Sequence, residues 1–172
     1  MYQDYKDLLS AFQSHGVKYL VVGGFAVIYH SQPRFTKDMD IFIKADPENA
    51  KATYAALASF GAPLADMRPE HFADPHSFFR FGRDPKGFDI LPSIPGVDFD
   101  AAWERRVETV IDTATGLKAN FISAEDLIAS KLASGRPQDL ADADAIRKAT
   151  GSQGPKPAKK KPPEPTPGNG PS

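Results

Sequence analysis

The sequence predicts an α+β domain: a mixed β-sheet flanked by helices, with a pair of helices at its C-terminal end. Three observations point there. Helical and strand periodicities alternate along residues 1–150. Two hairpin-like strand pairs fall in the second half. Two capped helical segments then follow one another directly, and this mixture, with neither pure βα alternation nor strands alone, fits an α+β layer architecture.

Taken in order, Tyr5, Leu8, Leu9 and Phe12 have helical spacing, and His15-Gly16 ends that helix. Lys18–Val22 is a short apolar run that reads as a buried strand. Gly23-Gly24 makes a tight turn, and Phe25–His30 begins a helix. Asp38–Lys44 alternates acid and apolar side chains as a half-buried strand does. Pro47 suits a first helical position and opens a helix through Phe60, with Gly61 as its stop. Ser77–Phe81 and Phe88–Leu91 form a strand pair turned at Arg83–Gly87, and Val107–Ile111 with Leu117–Ile122 form a second, turned at Thr115-Gly116. Ser123 with Asp126 approximates a capping box for a helix through Ser134. Gly135 breaks it, and Pro137 opens a last helix to about Lys148.

The chain has 172 residues, 41% hydrophobic and 25% charged, which suits one globular domain with a real core. Cysteine is absent, which excludes disulfides, thiolate chemistry and a cysteine zinc site. The N-terminal residues lack the basic and apolar regions of a signal peptide, and no apolar run approaches the roughly 20 residues of a membrane span. A reducing cytoplasm is the expected address. The last 22 residues, 151–172, are Pro, Gly and Lys without a large apolar side chain, so a disordered tail is expected. Lys159-Lys160-Lys161 within it reads as solubilising. The tail holds four lysines against one glutamate, so the body carries a net −4 and is no general polyanion binder.

Chemistry concentrates between Val21 and Asp40. Side chains at i and i+2 of a strand share a face, roughly 6.6 Å apart. Asp38 and Asp40 so placed can bracket two divalent cations, which sit about 3.5–4 Å apart in phosphoryl-transfer sites. A solvated strand edge is the plainer alternative. Separated from Asp38 by 13 residues, Gly23-Gly24 joins a strand to a helix, where backbone N–H groups and the helix dipole suit a phosphate. A two-metal site needs a third acid, and Asp89 lies inside the apolar run FDIL. A carboxylate there requires a cation or donors; the alternative is a satisfied structural aspartate. Phe78-Phe79-Arg80-Phe81 reads as strand core in preference to a base-stacking platform. Trp103 reads as packing a helix on the sheet. His15, His30, His71 and His76 lack metal-ligand spacing.

The stretch VVGGFAVIYHSQPRFTKDMDIFI resembles the glycine-turn and Asp-x-Asp signature of the polymerase-β-like nucleotidyltransferase superfamily. Its Arg34-x-Thr36-x-Asp38-x-Asp40 arrangement is most similar to the AbiEii/MenT-type branch, which contains toxins of toxin–antitoxin systems. Lys131, Arg136, Asp139 and Asp142 match that branch's C-terminal motif, with Gln138 standing where a lysine is frequent. The resemblance spans about residues 17–148. It implies a nucleotidyltransferase-like fold, an NTP substrate and Mg²⁺ or Mn²⁺ as cofactor. Asp38 and Asp40 would bind the metal, and Asp89 would be the third ligand or the general base. Gly23 and Gly24 would cradle the triphosphate. Arg34, Thr36, Lys131 and Asp139 would bind the nucleotide, Lys131 by neutralising phosphate charge. It further implies a tRNA acceptor and a cognate antitoxin partner. A protein or small-molecule hydroxyl as acceptor, and a non-catalytic nucleotide- or partner-binding module, are the other functions considered.

Overall fold

The computed structural model describes residues 1–152. Six strands form one mixed sheet. In chain order the elements are α1 (Gln3–Ser14), β1 (Tyr19–Val22), α2 (Gly23–His30), β2 (Asp38–Ile43), α3 (Pro47–Phe60), a 3₁₀ turn (Pro69–Ala73), β3 (Phe79–Arg83), β4 (Lys86–Leu91), α4 (Phe99–Glu104), β5 (Val107–Asp112), β6 (Leu117–Phe121), α5 (Ala124–Ser134) and α6 (Pro137–Thr150). Across the sheet the order is β3-β4-β2-β1-β6-β5. The β1–β6 and β2–β4 pairs are parallel and the other three antiparallel. The mixed sheet and the α5–α6 pair agree with the expected class. No helix among the described residues is long and apolar enough to cross a membrane.

Burial explains the order. β1 (YLVV) is buried along its length and takes a central position. Tyr5, Leu8, Leu9 and Phe12 of α1 are fully buried against the same core. On β2, Met39, Ile41 and Ile43 turn inward with no exposure, while Asp38 and Asp40 face the other side. In register with them, Phe88 and Ile90 of β4 and Phe79 and Phe81 of β3 continue the apolar face. Phe81 and Phe88 stack at 4.8 Å, and Phe60 of α3 meets Phe88 edge-on at 5.6 Å. Each such buried side chain contributes about 1.5–3 kcal/mol. Phe79 and Phe81 are therefore core, as their sequence suggests, and only Phe78 is exposed.

One buried polar residue fixes the β1–β2 register. Asn49 of α3 accepts from the Lys18 N–H (2.8 Å) and donates to the carbonyls of Lys18 (3.0 Å) and Lys44 (2.9 Å), joining the strand ends.

Several boundaries differ from expectation. The turn at Gly23 and the start of α2 coincide: Gly23 adopts φ +63 and already begins the helix. The first hairpin is longer and tighter than the sequence suggests, closing on Asp84-Pro85 with a cis peptide, so β3 starts at Phe79 and β4 at Lys86. The short α4 is capped by Asp98, which accepts from Ala101 N–H at 3.0 Å. Its Phe99 meets Phe42 of β2 and stacks with Trp103, over which the Arg106 guanidinium lies at 3.9 Å. The tail expected at 151–172 lies almost wholly outside the described residues.

Candidate active site

The strand register builds the site. In the parallel β2–β4 pair, Asp40 stands opposite Asp89 and Asp38 opposite Gly87. In the antiparallel β3–β4 pair, Arg80 stands opposite Asp89. In the β1–β2 pair, Val22, the residue before Gly23, stands opposite Asp40. Paired residues on neighbouring strands share a face. Arg80, Asp89 and Asp40 therefore form a row that ends at the start of α2.

Glycines make that row possible. A β-carbon at Gly23 would overlap the Asp40 carboxylate, and one at Gly87 would overlap that of Asp38. A β-carbon at Gly24 would strike the Thr36 hydroxyl. The two carboxylates of β2 thus lean over backbone where no other residue leaves room.

The helical wall comes from α5 and α6. Lys131 Nζ lies 3.0 Å from Asp142 and 3.4 Å from Asp139. Arg136 holds Asp139 at 2.8 Å, Gln138 donates to Asp142 at 2.9 Å, and Arg34 contacts Asp142 from the loop before β2. Asp139 and Asp142 are 2% and 4% exposed, and these partners offset the cost of burying them. The Asp139 carboxyl is held below the ordinary range: Arg136 and Lys131 outweigh the opposing effect of burial.

All nine residues singled out from the sequence (Gly23, Gly24, Arg34, Thr36, Asp38, Asp40, Asp89, Lys131 and Asp139) line one open cavity of about 630 Å³. Four further charged residues that sequence reasoning did not assign to the site also line it: Lys37, Arg80, Arg136 and Asp142. Five carboxylates and five basic side chains therefore surround it. Arg80 was legible in principle, because buried Phe79 and Phe81 on either side send it to the acid face. Its partnership is tight: Nε donates to one Asp89 oxygen at 2.6 Å and Nη2 to the other at 3.0 Å. Asp89 had been expected to need a cation, and this structure supplies a guanidinium.

Among the described residues, no guanidinium or ammonium contacts Asp38 or Asp40 in this way, and Asp40 shows the consequence. Burial first, then the neighbouring Asp89 and Asp38, push its carboxyl up to about 7, with Lys131 only partly opposing them. Crowded carboxylates with an unmet demand for positive charge fit a hard divalent cation, which prefers oxygen donors. Among the described residues no group of three or more histidines and acids forms a ready metal cage.

The remaining candidates are structural. His30 lies against the Ile122 carbonyl at 2.7 Å, and burial lowers its pKa. His71 caps the 3₁₀ turn and His15 binds its own helix. Asp100 pairs with Lys44 at 2.9 Å.

Comparison with known proteins adds the following. The solved lincosamide antibiotic adenylyltransferase LnuA, bound to lincomycin, superposes with a TM-score of 0.54 at 19% identity, covering 87% of this chain and 98% of that one. The antibiotic-resistance factor ANT(2'')-Ia gives 0.54 at 13% identity, covering 84% and 81%. An antigenic nucleotidyltransferase-like protein from Paracoccidioides brasiliensis gives 0.51 at 17%, covering 83% and 73%. At these identities the likeness is one of fold. No curated protein matches the sequence. Residues 3–147, which hold every residue of the cavity, match the family described as "Nucleotidyltransferase of unknown function (DUF6036)", and the chain belongs to that family.

Proposed function

We propose that the protein transfers a nucleoside monophosphate from an NTP to an acceptor hydroxyl, with divalent cations held on Asp38 and Asp40. The observation that carries this reading is the row of carboxylates on β2 and β4, set beside the glycine start of α2. A binding module has no use for three converging acids that repel one another.

Divalent ions on these acids, Mg²⁺ or Mn²⁺, would neutralise charge on the triphosphate and polarise its α-phosphorus. The chain does the rest by positioning. Gly23 and Gly24 present backbone N–H groups to the phosphates, Lys131 and Arg34 add positive charge, and Thr36 lies against Gly24. Asp139 holds Lys131 in place. The acceptor oxygen bonds to the α-phosphorus, the bond from that phosphorus to the bridging oxygen breaks, and pyrophosphate leaves. The hydroxyl proton passes to an ionised carboxylate of the trio, for which Asp89 is the proposed acceptor or third metal ligand.

The Arg34-to-Asp40 and Lys131-to-Asp142 patterns resemble the AbiEii/MenT-type toxin branch. They support a tRNA 3′ end as acceptor, with a cognate antitoxin as partner. A second reading, a small-molecule hydroxyl, is favoured by the cavity's balanced charge and by fold neighbours of which one is named a lincosamide antibiotic adenylyltransferase and another an antibiotic-resistance factor. One experiment separates them. The protein is incubated with each α-labelled NTP, Mg²⁺ or Mn²⁺, and total tRNA, an aminoglycoside or a lincosamide, beside an Asp38→Ala/Asp40→Ala variant. Label on RNA with the wild type alone is the expected result. Label on a drug moves the acceptor to small molecules, and label on the protein moves it to a protein hydroxyl. NTP binding without label anywhere would sink the transferase reading.

A further inference from the structure

Among the paired basic side chains of the cavity, Arg80 stands apart. Arg34, Lys131 and Arg136 are matched to Asp139 and Asp142, acids of α6 outside the proposed metal site. Arg80 is matched to Asp89, and it occupies both oxygens of that carboxylate. A divalent cation and a guanidinium compete for those two oxygens, because two positive charges at contact distance repel in a partly buried site. Asp89 is itself only 7% exposed and cannot turn to water instead. Arg80 can move: its side chain is 66% exposed and belongs to β3, the edge strand. Released, a planar guanidinium at the cavity wall suits bidentate contact with phosphate oxygens.

We propose that Arg80 exchanges partners, holding Asp89 in the metal-free protein, yielding it to the incoming divalent cation, and turning onto the phosphate oxygens of the bound nucleotide. The proposal rests on the metal-dependent reading above. Its signature is a pair of effects of opposite sign. Removing Arg80 strengthens binding of the bare metal, because a competitor is gone, and weakens binding of the metal–nucleotide complex, because a ligand is gone. A residue that merely shapes the strand would move both the same way or neither.

The test uses the full chain and two titrations. Free Mn²⁺ is followed by its electron paramagnetic resonance signal, without nucleotide, for wild type, Arg80→Met, Arg80→Lys and Asp38→Ala/Asp40→Ala. Affinity for the non-hydrolysable α,β-methylene analogue of ATP is then measured in Mn²⁺. Arg80→Met is expected to hold Mn²⁺ about fivefold tighter and the analogue about tenfold weaker. Arg80→Lys, which keeps a point charge without the fork, is expected to recover part of the analogue affinity. Weaker Mn²⁺ binding in Arg80→Met would overturn the exchange and make Arg80 a support for Asp89. No change in either titration would reduce it to a surface ion pair. Wild-type uptake of Mn²⁺ that is lost in the double alanine variant, with no response to Arg80→Met, sinks the exchange alone. Wild-type uptake no greater than that of the double variant sinks the metal-dependent reading and the exchange together. In the wild type, the Arg80 Nε resonance should shift on adding Mg²⁺ alone, and an unmoved resonance counts against the exchange.

Discussion

The two walls of the cavity handle charge in opposite ways. The helical wall pairs its charges internally: Lys131, Arg136, Arg34 and Gln138 contact Asp139 and Asp142 from several directions. The sheet wall does so only in part. Among the described residues, Asp38 and Asp40 lean over glycines with no basic side chain in contact, and the Asp40 carboxyl is pushed up to about 7. One wall pairs its charges internally; the other crowds like charges, which the proposed divalent cation would relieve. Substitution should therefore separate activity from stability, wall by wall.

The largest effect belongs to the sheet wall. Asp38→Ala/Asp40→Ala should lower nucleotidyl transfer on the order of 10³-fold or more, since the metal and its charge stabilisation leave together. Its melting temperature in EDTA should be no lower than that of the wild type. A large loss of stability would mean that these acids hold the fold, and the contrast between the walls would break.

Lys131→Ala is the counterpart on the helical wall. It removes one partner from two buried acids that retain others, so it should cost about 2 kcal/mol, a fall of about 4–8 °C in melting temperature. Transfer should drop about 10- to 100-fold. Thermal melts and initial rates on one preparation check both.

A smaller effect sharpens the claim of crowding. The Asp40 pKa is raised from 3.8 to about 7 in the folded protein. Below about pH 4 the group is protonated whether folded or not and contributes nothing. As pH climbs toward 7 the unfolded chain gives up its proton first, so folding loses stability through that window. Asp40→Asn avoids this. In EDTA its melting temperature should match the wild type near pH 4 and exceed it by a few degrees near pH 8. A constant difference across that range would refute the assignment.

The smallest expected effect is at Gln138. Its side-chain amide already supplies Asp142 with a donor at 2.9 Å. Gln138→Lys should exchange one donor for another and change stability by less than about 0.5 kcal/mol, as read from denaturant midpoints.

What was legible in the sequence follows from distance along the chain. Asp38, Asp40, Gly23 and Gly24 lie within one strand–helix–strand unit, where period-2 and glycine signals are local. Asp89 was found by chemistry, as an acid in an apolar run, and not by position. Arg80 was missed because FFRF was read for its phenylalanines, although their alternation also places the arginine. Gly87 was beyond reach: its role depends on standing opposite Asp38, and register across a parallel pair leaves no local mark. The Arg34–Asp142 contact spans 108 residues and is set by how α6 docks. The hairpin turn was misplaced because Arg83 and Lys86 look like loop residues, yet they pair as the last rung of the ladder.

The even balance of acids and bases around the cavity bears on how a substrate finds it. A pocket whose fixed charges cancel adds little to the field of a body that carries a net −4, so a free triphosphate approaching from solution feels no pull toward it. Under the proposed reaction the counter-ion that accompanies the nucleotide would lessen its repulsion by that body, and added salt, by screening it, should not slow capture.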